Sequence, residues 1–235
     1  MRKDAALNVI PALRDFLFFV VPQTKEGIIM NKNKTVTNNK KKISIRVIAG
    51  CGMLVAVAVV LQYIEISIPI MPSFIKLDFS DLPELIGAFA YGPLFGVIIS
   101  LLKNLIHMLF SQSGFVGELS NFILGAVFSF TAGIIYKYRK ERKFALIAGV
   151  CGAAAMAIIS VPANYFLIYP MYYGILNFPE EAVLGMYQVI LPGIKSIFQA
   201  LLVFNLPFTF VKGLICAVIS MFIYKPLTKV LKERS

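Results

Sequence analysis

Several things are missing from this 235-residue chain, and each absence removes a class of function. It has a single histidine, His107, and no HExxH pattern, so a zinc site of the usual donors has nothing to build on. Its three cysteines, Cys51, Cys151 and Cys216, lie separately inside apolar runs and form no CxxC; they read as small buried hydrophobes. No GxxxxGK[ST] is present, so the chain holds no P-loop of its own. There is no GxSxG, no Cys/His dyad and no pair of carboxylates at catalytic spacing. Strict apolar–polar alternation over strand-length segments is absent, which argues against a membrane β-barrel. No inverted repeat of the secondary-transporter kind is visible either.

What is present is apolar sequence. Hydrophobic residues make up 58% of the chain, against about 45–50% in ordinary soluble domains. Several runs reach the ~20 residues that a helix needs to cross a bilayer. The fold class is therefore all-α integral membrane. The net charge of +11 does not point to nucleic acid, because the basic residues cluster at the ends of apolar runs, where they orient a protein in the membrane.

The chain divides into a basic extension, residues 1–42, and a membrane domain, residues 43–235. In the extension, the apolar core Phe16–Val21 is too short to span, and no small-residue cleavage site follows it. "MNKNKTVTNNKKK" is polar and basic and is expected to be disordered. Met30 offers a second start, which would leave residues 1–29 untranslated. In the membrane domain the first span runs from Ile43 to about Pro69. Later runs are Val116–Lys137, Phe144 to about Pro170, and Pro207–Pro226. Between them, Leu82–Phe110 would be roughly 44 Å long as one helix, too long for a ~30 Å core, and it contains the breaker Gly92-Pro93. Breaking it there yields a six-helix bundle with a short second helix. That count puts Lys32–Arg46, "KYRKERK" and Lys229–Arg234 on one side, so both termini are expected to be cytoplasmic. The external connections are then Ile70–Asp81, Ser111–Gly114 and Met171–Asn205.

The first external loop, between helices one and two, is unusually charged: "FIKLDFSDLPE". Asp81-Leu82-Pro83-Glu84 reads as a capping box, with Asp81 at the N-cap and Pro83 in the first turn. Lys76 and Asp78 have no such explanation. Alternation places Phe74, Lys76 and Asp78 on one side of an extended segment, and Ile75, Leu77 and Phe79 on the other. Within the membrane, Lys103, Asn104 and His107 lie along one helix, where a helix–helix contact is the plain reading of His107. Asn164 follows Pro162, and Asn205 reads as the N-cap of a last helix that carries Pro207 and Lys212. Counted from Pro170 and Pro207, Asn164 and Lys212 reach similar depths of roughly 8–9 Å. The first helix carries Ala49 and the small-xxx-small pair Gly52 and Ala56, suited to close helix packing or partner docking.

Four stretches, "FIKLDFSDLPELIGAFAYGPLFGV", "KNLIH", "VGELSNFI" and "VPANYF" with "NLPFTFVKG", resemble the riboflavin-binding S components of energy-coupling factor (ECF) transporters. The resemblance covers about Ile43 to Leu231. It implies a cell-membrane subunit that binds riboflavin as cargo, not cofactor, and associates with a transmembrane coupling protein and two cytoplasmic ATPases. By resemblance, Asn164 and Lys212 contact the ligand, the first loop adds Phe74, Lys76, Leu77 and Asp78, and small residues of helix one, Gly52 among them, meet the coupling protein. The chemistry is compatible. A flavin's imide edge offers one donor and two acceptors, which an asparagine and a lysine can meet. Asn205 near the mouth could bond ribityl hydroxyls together with Lys76 and Asp78, and Phe74, Tyr165 and Phe208 could cover the ring. Rival readings are an S component for another vitamin or flavin analogue, and a small membrane enzyme using Lys103, His107 and Glu118.

Overall fold

A computed structural model describes residues 44–72, 74–111 and 114–232. The expectations for residues 1–42, including a start at Met30, lie outside the described residues. The fold is mostly helical. Helix α1 spans Ile45–Tyr63, α2 Asp81–Tyr91, α3 Pro93–Met108, α4 Val116–Tyr138 and α5 Arg142–Ala163. Then come α6 Tyr169–Ile175, α7 Glu180–Ile190, α8 Ile197–Ala200 and α9 Leu206–Lys232. Among the described residues, four continuous helical stretches are long and apolar enough to cross a membrane: Ile45–Tyr63, Val116–Tyr138, Lys143–Ile175 and Ile197–Ile223. Helix α3 is apolar but shorter.

The break between α2 and α3 falls at Gly92-Pro93. Gly92 has φ 117°, a conformation that costs a side-chain-bearing residue dearly, and Pro93 starts the next helix where its missing N–H is harmless. Helix α2 is the buried centre of the bundle, with every residue from Asp81 to Ala90 buried. It packs against α1, α3, α4 and α9. The main core joins Leu54 and Ala58 of α1, Leu85 and Phe89 of α2, Ile99 of α3, Phe128 of α4, Met156 of α5 and Cys216 of α9. A second cluster, including Val116, Ile168, Tyr169, Val183, Tyr187 and Ile197, seats α7 against the neighbouring helices.

Several elements differ from the sequence reading. The first helix ends at Tyr63, and the loop after it forms a small antiparallel pairing, β1 (Ile66–Ser67) with β2 (Lys76–Leu77). The stretch expected to be an external loop, Met171–Asn205, holds the rest of α6, all of α7 and the start of the last long helix. Asn205 is therefore not an N-cap, and Pro207 is not a helix start: the helix runs through both from Ile197. Proline is tolerated there because the preceding turn widens. Residues Leu201–Asn205 form a π turn, in which the Leu206 N–H bonds Leu201 O. The same device recurs at Asn164–Ile168, where the Tyr169 N–H bonds Asn164 O just before Pro170. In each case the wider turn relieves the clash between the proline ring and the carbonyl four residues back. The cysteine reading also needs one correction: Cys51 and Cys216 are buried, but Cys151 is exposed on the apolar outside of the bundle.

Candidate substrate-binding site

A cavity of about 610 Å³ lies between the first loop and helices α3, α4, α5, α6, α7 and α9. Phe74, Ile75, Lys76 and Asp78 of the loop line it, with Asp81 of α2. Asn164 and Asn205 come from the two π turns, and Phe208, Thr209 and Lys212 from α9. Of the site residues expected from sequence, two are elsewhere. Leu77 does not line the cavity. Tyr165 is turned away, 41% exposed, with its ring against Phe166 and Phe198. Tyr165 lies one residue, about 100° of helix, beyond Asn164, and that step carries its ring onto the outer face of the bundle.

The cavity floor is ionic. Lys212 Nζ lies 2.9 Å from Asp78 Oδ2 and 3.1 Å from Asp81 Oδ2. Asp78 Oδ1 accepts hydrogen bonds from the Ser80 N–H at 2.9 Å and the Ser80 hydroxyl at 2.5 Å. Burial alone would raise the Asp78 carboxyl; Lys212, then Lys103 and the Ser80 hydrogen bond, outweigh it and hold the group well below the usual carboxylate range. The capping-box reading of Asp81 and Glu84 is thus corrected. Ser80 precedes the helix without a side-chain cap, and both carboxylates sit in the first turn of α2 facing lysines instead. Asp81 Oδ1 is 3.2 Å and Glu84 Oε1 2.7 Å from Lys103 Nζ. Two bare charges buried here would cost several kcal/mol each, and close pairing is what makes their burial tolerable.

Asn164, which lines the cavity, donates its Nδ2 to Ser160 O at 2.8 Å, which ties down the amide and leaves its carbonyl oxygen as the acceptor. Lys212 donates to Asp78 and is ion-paired with Asp81, and its three N–H groups leave donor capacity toward the cavity. Asn205 is committed to tyrosines: Tyr187 OH donates to its Oδ1 at 2.6 Å, its Nδ2 donates to Tyr169 OH at 3.4 Å, and the two hydroxyls are 2.5 Å apart. Phe74 packs against Tyr169, Tyr172 and Tyr187, so the loop, α6 and α7 share one aromatic wall.

Two further pairs line the cavity. Lys76 pairs with Glu65 across the small hairpin. His107 Nδ1 is 2.9 Å from Glu118 Oε1, Ser111 donates to Glu118 Oε2 at 2.9 Å, and the His107 ring stacks on Tyr63 at 4.8 Å. His107 does make a helix–helix contact, α3 to α4, but it also lines the cavity, as do Tyr63 and Glu118. Asn104 instead accepts from Gln62 of α1 at 3.1 Å and belongs to the packing. Asp81 and Thr209 are cavity residues that sequence reasoning did not place in the site, and Glu118 is one it named only in the rival enzyme reading.

An apolar helical bundle enclosing a cavity with an ionic floor and aromatic wall defines a membrane-embedded binding protein. The particular family follows from comparison with known sequences: the chain belongs to the ECF transporter substrate-specific components, whose family model matches residues 46–224. It is 36% identical over 197 residues to the riboflavin transporter RibU of Staphylococcus aureus, covering 83% of this chain and 94% of that protein. It is 31% identical over 176 residues to the riboflavin transporter FmnP of Bacillus subtilis, covering 74% and 87%. A solved S component of a bacterial ECF transporter superposes with a TM-score of 0.63 at 32% identity, covering 80% of this chain and 98% of that one. The family is one of transporters, which sets aside the membrane-enzyme reading of Lys103, His107 and Glu118.

Proposed function

We propose that this chain is the membrane-embedded, high-affinity riboflavin-binding subunit of an ECF-type vitamin uptake transporter. The observation that carries the reading is that one cavity is lined both by Asn164, an amide tied down by Ser160 and able to accept, and by Lys212, a lysine donor. An isoalloxazine imide edge presents the complementary donor and acceptors. In this reading the ring lies between Phe74 and Phe208, and the ribityl chain runs toward Lys76 and the His107–Glu118 pair. Asp78 acts through Lys212, and Asn205 acts by holding Tyr169 on the wall together with Tyr187 buried behind it. Leu77 and Tyr165 are left out of the contact set.

The membrane domain, residues 43–235, has six spanning segments: α1, the short α2, α3, α4, the continuous α5–α6 and the continuous α8–α9, with α7 as an external helix. Both termini are cytoplasmic, and residues 1–42 form a separate basic extension. Transport energy comes from partners, a transmembrane coupling protein with two cytoplasmic ATPases. Ala49, Gly52 and Ala56 lie on the exposed side of α1, beside the equally exposed Met53 and Val57, and this face is the docking surface. The deciding experiment is calorimetric or fluorescence-quenching titration of the purified chain in detergent, without ATP. Riboflavin should bind tightly; binding of another vitamin in its place would overturn the reading. Labelling of single cysteines in intact cells tests the topology: position 180 should react from outside and position 140 should not.

A further inference from the structure

Behind the cavity wall, the ion pairs described above close on themselves. From Lys212 one path runs through Asp81 to Lys103, whose ammonium also holds Glu84. The other runs through Asp78 to the Ser80 hydroxyl, which accepts from Lys103. The ring thus meets at Lys103 on one side and Lys212 on the other. Lys212, Asp78 and Asp81 line the cavity, while Lys103, Ser80 and Glu84 do not. Lys103 is fully buried. Gly125 of α4 makes the space for this arrangement, since a Cβ there would sit 2.8 Å from Ser100 Oγ and clash with the Glu84 carboxylate.

From this geometry we infer that Lys103 is a positioning residue for ligand binding: it touches no ligand, but it shares Asp81 and orders Ser80 so that Lys212 keeps one N–H for the cargo. The inference rests on the riboflavin reading given above. The physical argument is a charge tally. Three buried carboxylates, Asp78, Asp81 and Glu84, face two ammonium groups. With Lys103 present, Glu84 is held away from the cavity and Asp81 is divided between two lysines. Without it, Asp81 has only Lys212 to turn to, and the wall gains negative charge where a flavin carbonyl must approach. Networks of this kind act as units, because each member polarises and orients the next in a medium of low dielectric. A lysine that only stabilised α2 against α3 would have no reason to be joined to the cavity lysine through both of that lysine's partners.

The test uses the full chain in detergent, with riboflavin quenching titrations and ligand-free thermal unfolding measured side by side. Lys103→Met should weaken riboflavin binding by about tenfold or more, although the residue lies outside the cavity. Adding Glu84→Gln to that variant removes the carboxylate freed by the first change, and should bring affinity back to within about threefold of wild type. Ser80→Ala, which cuts one arm without changing charge, should cost about threefold to tenfold. A double variant that binds as weakly as Lys103→Met, or more weakly, would overturn the inference, because the freed carboxylate would then not be what weakens binding. An affinity loss that vanishes when binding is measured well below the variant's own ligand-free unfolding temperature would overturn it too, since that is what a merely structural lysine predicts. So would Lys103→Met binding like wild type. Should Lys103→Met alone fail to fold, Ser80→Ala binding like wild type, or a double variant weaker than wild type by about tenfold or more, overturns the inference. If the wild-type protein takes another vitamin, the riboflavin reading falls, and the same three variants are scored with that vitamin.

Discussion

Lys76 and Lys212 both line one cavity and both hold a carboxylate, yet they sit in different media. The Lys76 and Glu65 side chains are 42% and 33% exposed, while those of Lys212 and Asp78 are 9% and 6% exposed. Water can take over either half of the first pair when the other leaves. Nothing can do so for the second pair. An exposed pair is worth about 0–1 kcal/mol, whereas removing one partner of a buried pair costs about 3–5 kcal/mol. The same two residue types therefore serve as a replaceable rim and an obligatory floor. A rim that exchanges freely with water suits entry and exit of cargo; a floor fixed by neighbours suits recognition.

The largest effect should follow from breaking the floor. Lys212→Met keeps the apolar stem but removes the charged donor. A hydrogen bond to a charged group contributes about 1.5–3 kcal/mol, so riboflavin affinity should drop by roughly 10- to 150-fold in calorimetric titration. Ligand-free thermal stability should fall as well, because Asp78 and Asp81 keep their charge with less to balance it. Coupling Lys212→Met to Asp78→Asn separates the two consequences. Stability should return toward wild type, since a buried charge has been removed with its partner, while affinity should stay low. Joint recovery would mean that the floor lysine serves the fold and not the ligand.

Next in size is Asn164→Ala. Its amide is oriented by Ser160, so truncation leaves a buried imide donor on the ligand unpaired, at a cost of about 1–3 kcal/mol, or roughly 5- to 150-fold in affinity. Unfolding temperature should change little, because the lost protein contact is a single hydrogen bond within one helix. A variant with unchanged affinity would move the imide edge away from the π turn of the fifth helix.

The floor was only half legible in the sequence, and its two halves show why. Asn164 and Lys212 could be found from local signals: polar residues at membrane depth beside prolines. Their ionic partners could not. Asp81 and Glu84 satisfy a capping-box pattern, and the helix does begin at Asp81, but a sequence pattern says nothing about where a carboxylate points once α3 and α9 arrive with Lys103 and Lys212. The spans divided in the same way. Gly92-Pro93 was readable because a breaker between two apolar runs is a local fact. Pro207 was not: whether a proline starts a helix or sits inside one depends on whether the preceding residues stay helical. Here Ile197–Asn205 do, through a π turn that leaves no composition signal. Tyr169, which lines the cavity, and Tyr187, buried behind it, are brought together from α6 and α7 by a tertiary event.

The smallest effect belongs to the rim, and it makes the comparison sharpest. Lys76→Ala removes a pair that is partly hydrated on both sides, so riboflavin affinity should change by less than about threefold, within the 0–1 kcal/mol range of exposed pairs. What remains of the effect should shrink further as salt is raised from 0.01 M to 1 M, because the screening length contracts from about 30 Å to about 3 Å. The Lys212→Met deficit should change far less across the same salt series, since buried charges are screened much less than exposed ones. Association and dissociation followed by stopped-flow quenching would show where the small change lies: a rim charge alters the rate of entry, while a floor contact alters the rate of release. A Lys76→Ala variant that lost tenfold or more in affinity at both salt concentrations would show the rim lysine gripping the ligand as firmly as the floor does, and the division between exchangeable and fixed pairs would no longer describe this cavity.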